Sequence, residues 1–172
     1  MGLTHALRRP PAGTGSPLGQ SGGKRPRQAS LRRAVSTAYY ALFHLLVSEA
    51  TLNWKRVEER ALLARFFEHG KMRTASDRQR GECRRFLNST PPPAPGPELD
   101  CMRHLHWVAD TFSQTQQQRH TADYDNATQW DRAEALALIS RVDSAFANWR
   151  AIRDEPAAHA YLISPLGNPK GI

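Results

Sequence analysis

The chain has 172 residues, a length that suits one domain with its own core. Its 24 lysines and arginines against 16 aspartates and glutamates give a formal net charge of +8. Two cysteines are too few for a disulfide framework, and the longest apolar run, from Ala38 to Val47, is about half of the ~20 residues that a bilayer span needs. We therefore expect a cytoplasmic protein that does not cross a membrane.

Arginine supplies 20 of the 24 cations, and its planar guanidinium suits phosphate recognition. This excess indicates an anionic partner such as RNA or a nucleotide. An alternative of equal weight is that the arginines only keep the protein in solution, because charge balance speaks weakly about partners.

The first 28 residues are rich in Gly, Pro, Ser and Arg and almost lack large apolar side chains. Such a segment cannot bury enough surface to offset its ordering entropy. We predict a disordered basic arm over 1–28 and a helical domain over 29–165.

The most strongly predicted helix comes directly after this arm, with Ser30 as its N-cap. Apolar residues recur at helical spacing at Leu31, Val35, Ala38, Leu42, Leu45 and Leu46. Tyr39, Tyr40, Phe43 and Val47 extend the apolar surface nearly all the way round. This pattern is typical of a central helix.

Three more helices are predicted, over about 52–69, 98–119 and 130–153, with Gly70 ending the first of them. The polar, proline-rich stretch 75–97 predicts a connection that crosses the surface. The tail after Pro156 is predicted to form one further helical turn. Since no window alternates as a strand does, the economical architecture is an all-α, up-and-down four-helix bundle.

Two segments carry a resemblance to a known family. The first-helix sequence LRRAVSTAYYALFHLL and the later RHTADYD are similar to bacterial HEPN domains found alone or beside minimal nucleotidyltransferases. The stretches FFEHGKMR and WRAIRDEP also fit, so the resemblance covers roughly residues 24–160. It implies a helical bundle that usually forms a homodimer with the polar motif at the dimer cleft. It also implies a nucleotidyltransferase partner in a toxin–antitoxin-like pair.

Ribonucleases of that superfamily carry an Arg followed, after four to six residues, by a His. Here Arg119 is followed at once by His120, and the motif positions hold Tyr124, Asp125 and Asn126. The one formal match in the chain, Arg153 to His159, contains Pro156, which argues against a regular helical active face. The departure favours a binding module that is non-catalytic or catalytically atypical.

The leading candidates for RNA or nucleotide binding are Arg119, Asp123 and Tyr124, and Tyr40 of the first helix is a further candidate. A cation, a carboxylate and a phenol can bind phosphate or ribose. By resemblance, Tyr124 is also a candidate acceptor for nucleotide transfer. The alternative, which we weigh equally, is structural: Arg119 and Asp123 only form an ion pair across one helical turn, and Tyr124 plugs the end of the bundle.

The alternative function is a metal-independent endoribonuclease that uses Arg119 with His120, His44 or His69. His44 and Tyr40 lie four residues apart on one helical face, where they can line a cleft. A packed His44 and a helix-capping His69 are the favoured structural interpretation. A third reading is a plain interaction scaffold.

A metal or cofactor is not expected. Cys101, His104 and His106 have a suggestive spacing, but on a helix His106 faces away from the other two. No Gly-rich phosphate loop occurs in the sequence.

Overall fold

The computed structural model of the protein describes residues 27–52 and 54–167. Every regular element in these ranges is a helix, and none is a strand, so the all-α prediction is confirmed. The predicted arm lies outside the described residues apart from Arg27 and Gln28. No helix in the described ranges combines the length and the apolar character that crossing a membrane requires.

Six α-helices and two short 3₁₀ turns follow one another along the described part of the chain. The helices are α1 (Gln28–Leu52), α2 (Arg60–Ala64), α3 (His69–Leu87), α4 (Pro97–Tyr124), α5 (Arg132–Ile152) and α6 (Pro156–Ile163). The 3₁₀ turns, Val57–Glu59 and Ser164–Leu166, precede α2 and follow α6.

The core forms where α1, α4 and α5 pack against one another in pairs. Helix α3 packs on α4, and α6 contacts both α1 and α3. The central role predicted for the first helix agrees with its burial, since Val35, Tyr39, Leu42 and Leu46 are completely inaccessible to solvent. The helix begins at Gln28, two residues before the predicted cap Ser30.

The prediction of one helix over 52–69 is wrong. That segment holds only a 3₁₀ turn and the five-residue α2. Phe67 at its end is buried, but four other large apolar side chains are exposed: Trp54, Val57, Leu62 and Phe66. The helical spacing there is genuine, but these side chains find no core to pack against.

The second long helix is instead α3, across much of the predicted surface connection. Its buried face consists mainly of small or weakly apolar residues, Ala75, Ser76 and Cys83, with Met72 the one large member. Such a face gives little apolar signal amid many arginines. Gly70, predicted to end a helix, lies in the first turn of α3.

Helix α4 continues five residues beyond its predicted end at Arg119. The segment through Tyr124 was expected to break the helix because it is polar, but Ala122 is buried and keeps the helical register. Arg119 and Asp123 therefore lie on consecutive turns of one helix.

Helix α5 begins with a capping box. The Asp131 carboxylate accepts from the Glu134 backbone N–H at 2.7 Å, and the Glu134 carboxylate accepts from the Asp131 N–H at 3.0 Å. The tail forms the two-turn helix α6, longer than the single turn predicted. Its buried Tyr161 hydroxyl lies 2.7 Å from the hydroxyl of Ser76, which joins α6 to α3.

Candidate functional site

Arg119, in the last turns of α4, is held against Tyr40 of α1. Its Nη2 donates to the Tyr40 hydroxyl at 2.7 Å, and the guanidinium carbon lies 5.3 Å from the centre of the Tyr40 ring. The Arg119 side chain is 19% exposed. Its Nη1 makes no hydrogen bond within the described ranges.

Asp123 is the second partner of Arg119. One carboxylate oxygen lies 2.7 Å from Arg119 Nε, and the other accepts from the Ser36 hydroxyl of α1 at 2.5 Å. The Nε contact is an ion pair rather than an aligned hydrogen bond. Burial opposes the charge of the guanidinium, but Tyr40 and Asp123 outweigh it and the pKa of Arg119 is raised. Arg119 thus stays cationic in a fixed orientation.

Tyr124 lies beside this pair but faces solvent. It is 67% exposed, its ring lies 5.9 Å from the Arg119 guanidinium carbon, and its hydroxyl has no hydrogen-bond partner in the described part of the chain. Tyr124 therefore does not plug the end of the bundle. His120 packs against the Tyr124 ring, with 4.9 Å between the ring centres.

His69 packs against the ring of Tyr40. His69, the first residue of α3, has its Nδ1 2.7 Å from the buried Tyr39 hydroxyl, and its ring centre lies 4.2 Å from that of Phe43. His69 therefore starts a helix rather than capping the end of one.

The pKa values of His69 and Tyr39 are both shifted. Burial, then the charges of Arg119 and His44, lowers the pKa of His69. Burial raises the pKa of Tyr39. A neutral His69 with Nδ1 as acceptor from the Tyr39 phenol carries its own proton on Nε2, where it can donate or be exchanged.

Three of the four candidate nuclease residues surround one side chain. His44 stacks on Tyr40 with 6.4 Å between ring centres, His69 meets Tyr40 edge-on at 5.7 Å, and Arg119 bonds its hydroxyl. His44 is exposed, so it is not a packed core histidine. His120 contacts Tyr124 instead.

Sequence reasoning missed Ser36, and it considered Arg32 only as a basic residue at the start of the first helix, although both residues build this site. Arg32 donates to the backbone oxygens of Ala122 and Asp125 at 2.9 and 2.8 Å, and so ties the end of α4 to α1. A signal was present, because Arg32, Ser36, Tyr40 and His44 recur every four residues as a polar stripe along α1.

The other sequence motifs lie elsewhere. Arg153 is bound to both oxygens of Glu49 at 2.8 and 2.9 Å, and it lines a shallow cavity together with His159. Cys101 is buried and His104 bonds Asn148. Within residues 27–52 and 54–167, no group of three or more His, Cys, Asp or Glu side chains is arranged to hold a metal ion.

Comparisons with known proteins give no relative. No family model matches the chain, and neither the curated proteins nor the solved structures contain a match. The functional argument therefore depends on the site itself.

Proposed function

We propose that this protein is a HEPN-like module that binds RNA or a nucleotide through Arg119 without cleaving it. The observation that carries the proposal is the network in which Tyr40 and Asp123 hold the Arg119 guanidinium, while its Nη1 has no hydrogen-bond partner among the described residues. A cation oriented in advance loses little conformational freedom when it binds phosphate.

Tyr124 extends the site towards solvent. Its exposed ring offers a surface on which a base can stack, next to the guanidinium that binds the phosphate. Its free hydroxyl also supports the role of acceptor for a nucleotidyl group delivered by a nucleotidyltransferase partner, in a toxin–antitoxin-like pair.

The HEPN resemblance also implies how the helices are arranged and how the protein assembles. We propose that α1, α3, α4 and α5 form the up-and-down bundle of that family, and that the protein acts as a homodimer in the cytoplasm. The two buried free thiols, Cys83 and Cys101, are compatible with a reducing compartment.

Binding of a fluorescent single-stranded RNA, followed by anisotropy, tests the role of Arg119. The Arg119→Gln variant keeps a polar, unbranched side chain, shorter than that of arginine, but removes its charge. We expect its Kd to rise about tenfold or more, because a hydrogen bond to a charged group contributes about 1.5–3 kcal/mol. Arg153→Gln is the matched control, since Arg153 is also partly buried and ion-paired but lies away from the site. Equal affinity of wild type and Arg119→Gln would reject the proposal.

A second candidate is the metal-independent endoribonuclease. It is favoured by the convergence of His44, His69 and Arg119 on Tyr40 and by the lowered pKa of His69, which keeps a neutral imidazole in the site. If this function is correct, His69→Gln abolishes RNA cleavage in EDTA while the helical circular-dichroism signal is retained.

A further inference from the structure

A second cationic surface lies on another side of the molecule, between α3 and α4. Helix α3 carries six lysines and arginines against two carboxylates, Asp77 and Glu82. A groove of about 540 Å³ opens beside it. Its walls are formed by Asp77, Arg80, Arg84 and Arg85 of α3 and by His106 and Asp110 of α4.

The acidic residues of the α3–α4 groove are already neutralised. Asp110 is contacted by Arg80 at 3.2 Å and by Arg141 at 2.6 Å. Asp77 lies 3.3 Å from Arg80 and 3.7 Å from Arg73. The carboxylates in the groove therefore repel an incoming anion only weakly.

The cations at the other end of the groove have no such partners. Arg84 and Arg85 are exposed, and neither forms an ion pair or a side-chain hydrogen bond anywhere in the described ranges. The nearest carboxylate in sequence, Glu82, faces Arg78 at 4.0 Å. Between them and Arg80, Gly81 has no side chain to obstruct the groove. This end of the groove carries uncompensated positive charge.

The groove is separate from the Arg119 site. Asp110 and Arg119 are nine residues apart on α4, which corresponds to about 13 Å along the axis and two and a half turns around it. The two sites thus open on opposite faces of α4.

We propose that the α3–α4 groove binds the phosphodiester backbone of single-stranded RNA, with Arg84 and Arg85 as the phosphate contacts and Arg80, held by Asp77 and Asp110, as a fixed cation beneath them. Arginine suits this ligand because its planar fork matches two phosphate oxygens. The choice of RNA rests on the proposed function, whereas the site itself is argued from charge.

The salt dependence of RNA binding tests the groove on the full chain. A double variant, Arg84→Gln with Arg85→Gln, should lower the slope of log K against log salt concentration by about 1.4, the value for two phosphate contacts to a single strand. The matched control, Arg65→Gln with Arg132→Gln, removes two exposed arginines elsewhere and should keep the wild-type slope. The double variant Arg84→Lys with Arg85→Lys retains both charges, so it should keep most of the wild-type slope.

The outcomes separate this inference from the proposed function. An unchanged slope in the Arg84→Gln, Arg85→Gln variant overturns the groove even if Arg119→Gln weakens binding. A lowered slope in that variant supports the groove even if Arg119→Gln binds normally. Binding of inorganic polyphosphate is measured in parallel; a loss confined to polyphosphate would identify that polymer as the ligand and overturn RNA.

Discussion

The phenol hydroxyls of Tyr40 and Tyr124 are the same chemical group in two environments. That of Tyr40 accepts from Arg119 at 2.7 Å, whereas that of Tyr124 is solvent-exposed and makes no hydrogen bond in the described ranges. Tyr40→Phe leaves a partly buried guanidinium short of one acceptor, so we expect a loss of about 1–3 kcal/mol in the free energy of unfolding. Tyr124→Phe should change it by less than about 0.5 kcal/mol. Urea unfolding of both variants measures the difference, and equal losses would contradict the contact.

His69 predicts a pH dependence of stability. Its pKa is lowered in the folded protein from an ordinary value of 6.5, so below that value the unfolded chain binds more protons than the folded one. Stability contributed by neutral His69 is therefore full above pH 6.5 and decreases as the pH falls towards the folded pKa.

Melting temperatures between pH 7.5 and 5.5 measure this effect. We expect the wild type to lose stability across the interval and His69→Gln to lose less. His120→Gln, which alters an exposed histidine, should follow the wild-type curve. Parallel curves for wild type and His69→Gln would rule out His69 as the source.

The contacts of the site differ in how far the sequence predicts them. Arg119 and Asp123 are four apart, so their pairing follows from helical geometry once α4 is known to continue past Arg119. The contact between Arg119 and Tyr40 spans 79 residues of sequence, and no local pattern predicts it.

The capping box of α5 is a local feature that can be tested independently of function. Because Asp131 satisfies the Glu134 N–H, Asp131→Ala should lower the free energy of unfolding by about 1 kcal/mol. Asp143→Ala, at an exposed position in the middle of the same helix, is the matched control and should leave stability equal or slightly higher, because alanine has the better helix propensity. Thermal unfolding monitored by circular dichroism compares them, and equal losses would argue against the cap.

At the level of elements, apolar spacing predicts helices where the apolar side chains are also buried. It succeeds for α1, whose periodic residues form the core. It fails for 52–69, where Val57 and Phe66 keep the spacing but face solvent, and for α3, which packs through Ala75, Ser76 and Cys83. Periodicity reports amphipathic character, whereas burial depends on which surfaces the rest of the chain offers.

For the whole molecule, composition and pattern were sufficient for the all-helical class but not for the packing. The contacts of α6 with α1 and α3 depend on side chains far apart in sequence, such as Ser76 and Tyr161. Function is a property of the assembled surface. Arg119 stands out only when Tyr40 and Asp123 are seen to hold it. Arg84 and Arg85 stand out only when they are seen to lack carboxylate partners among the described residues.

The most direct measurement incubates the purified protein in EDTA with end-labelled single-stranded and structured RNAs, and scores retention and cleavage on parallel native and denaturing gels. Arg119→Gln is run beside the wild type. We predict that the wild type retains intact RNA and that the variant retains markedly less, with no fragments from either. Fragments produced by the wild type but not by the variant would make the protein a nuclease, and a wild type that neither retains nor cuts RNA would contradict binding through Arg119.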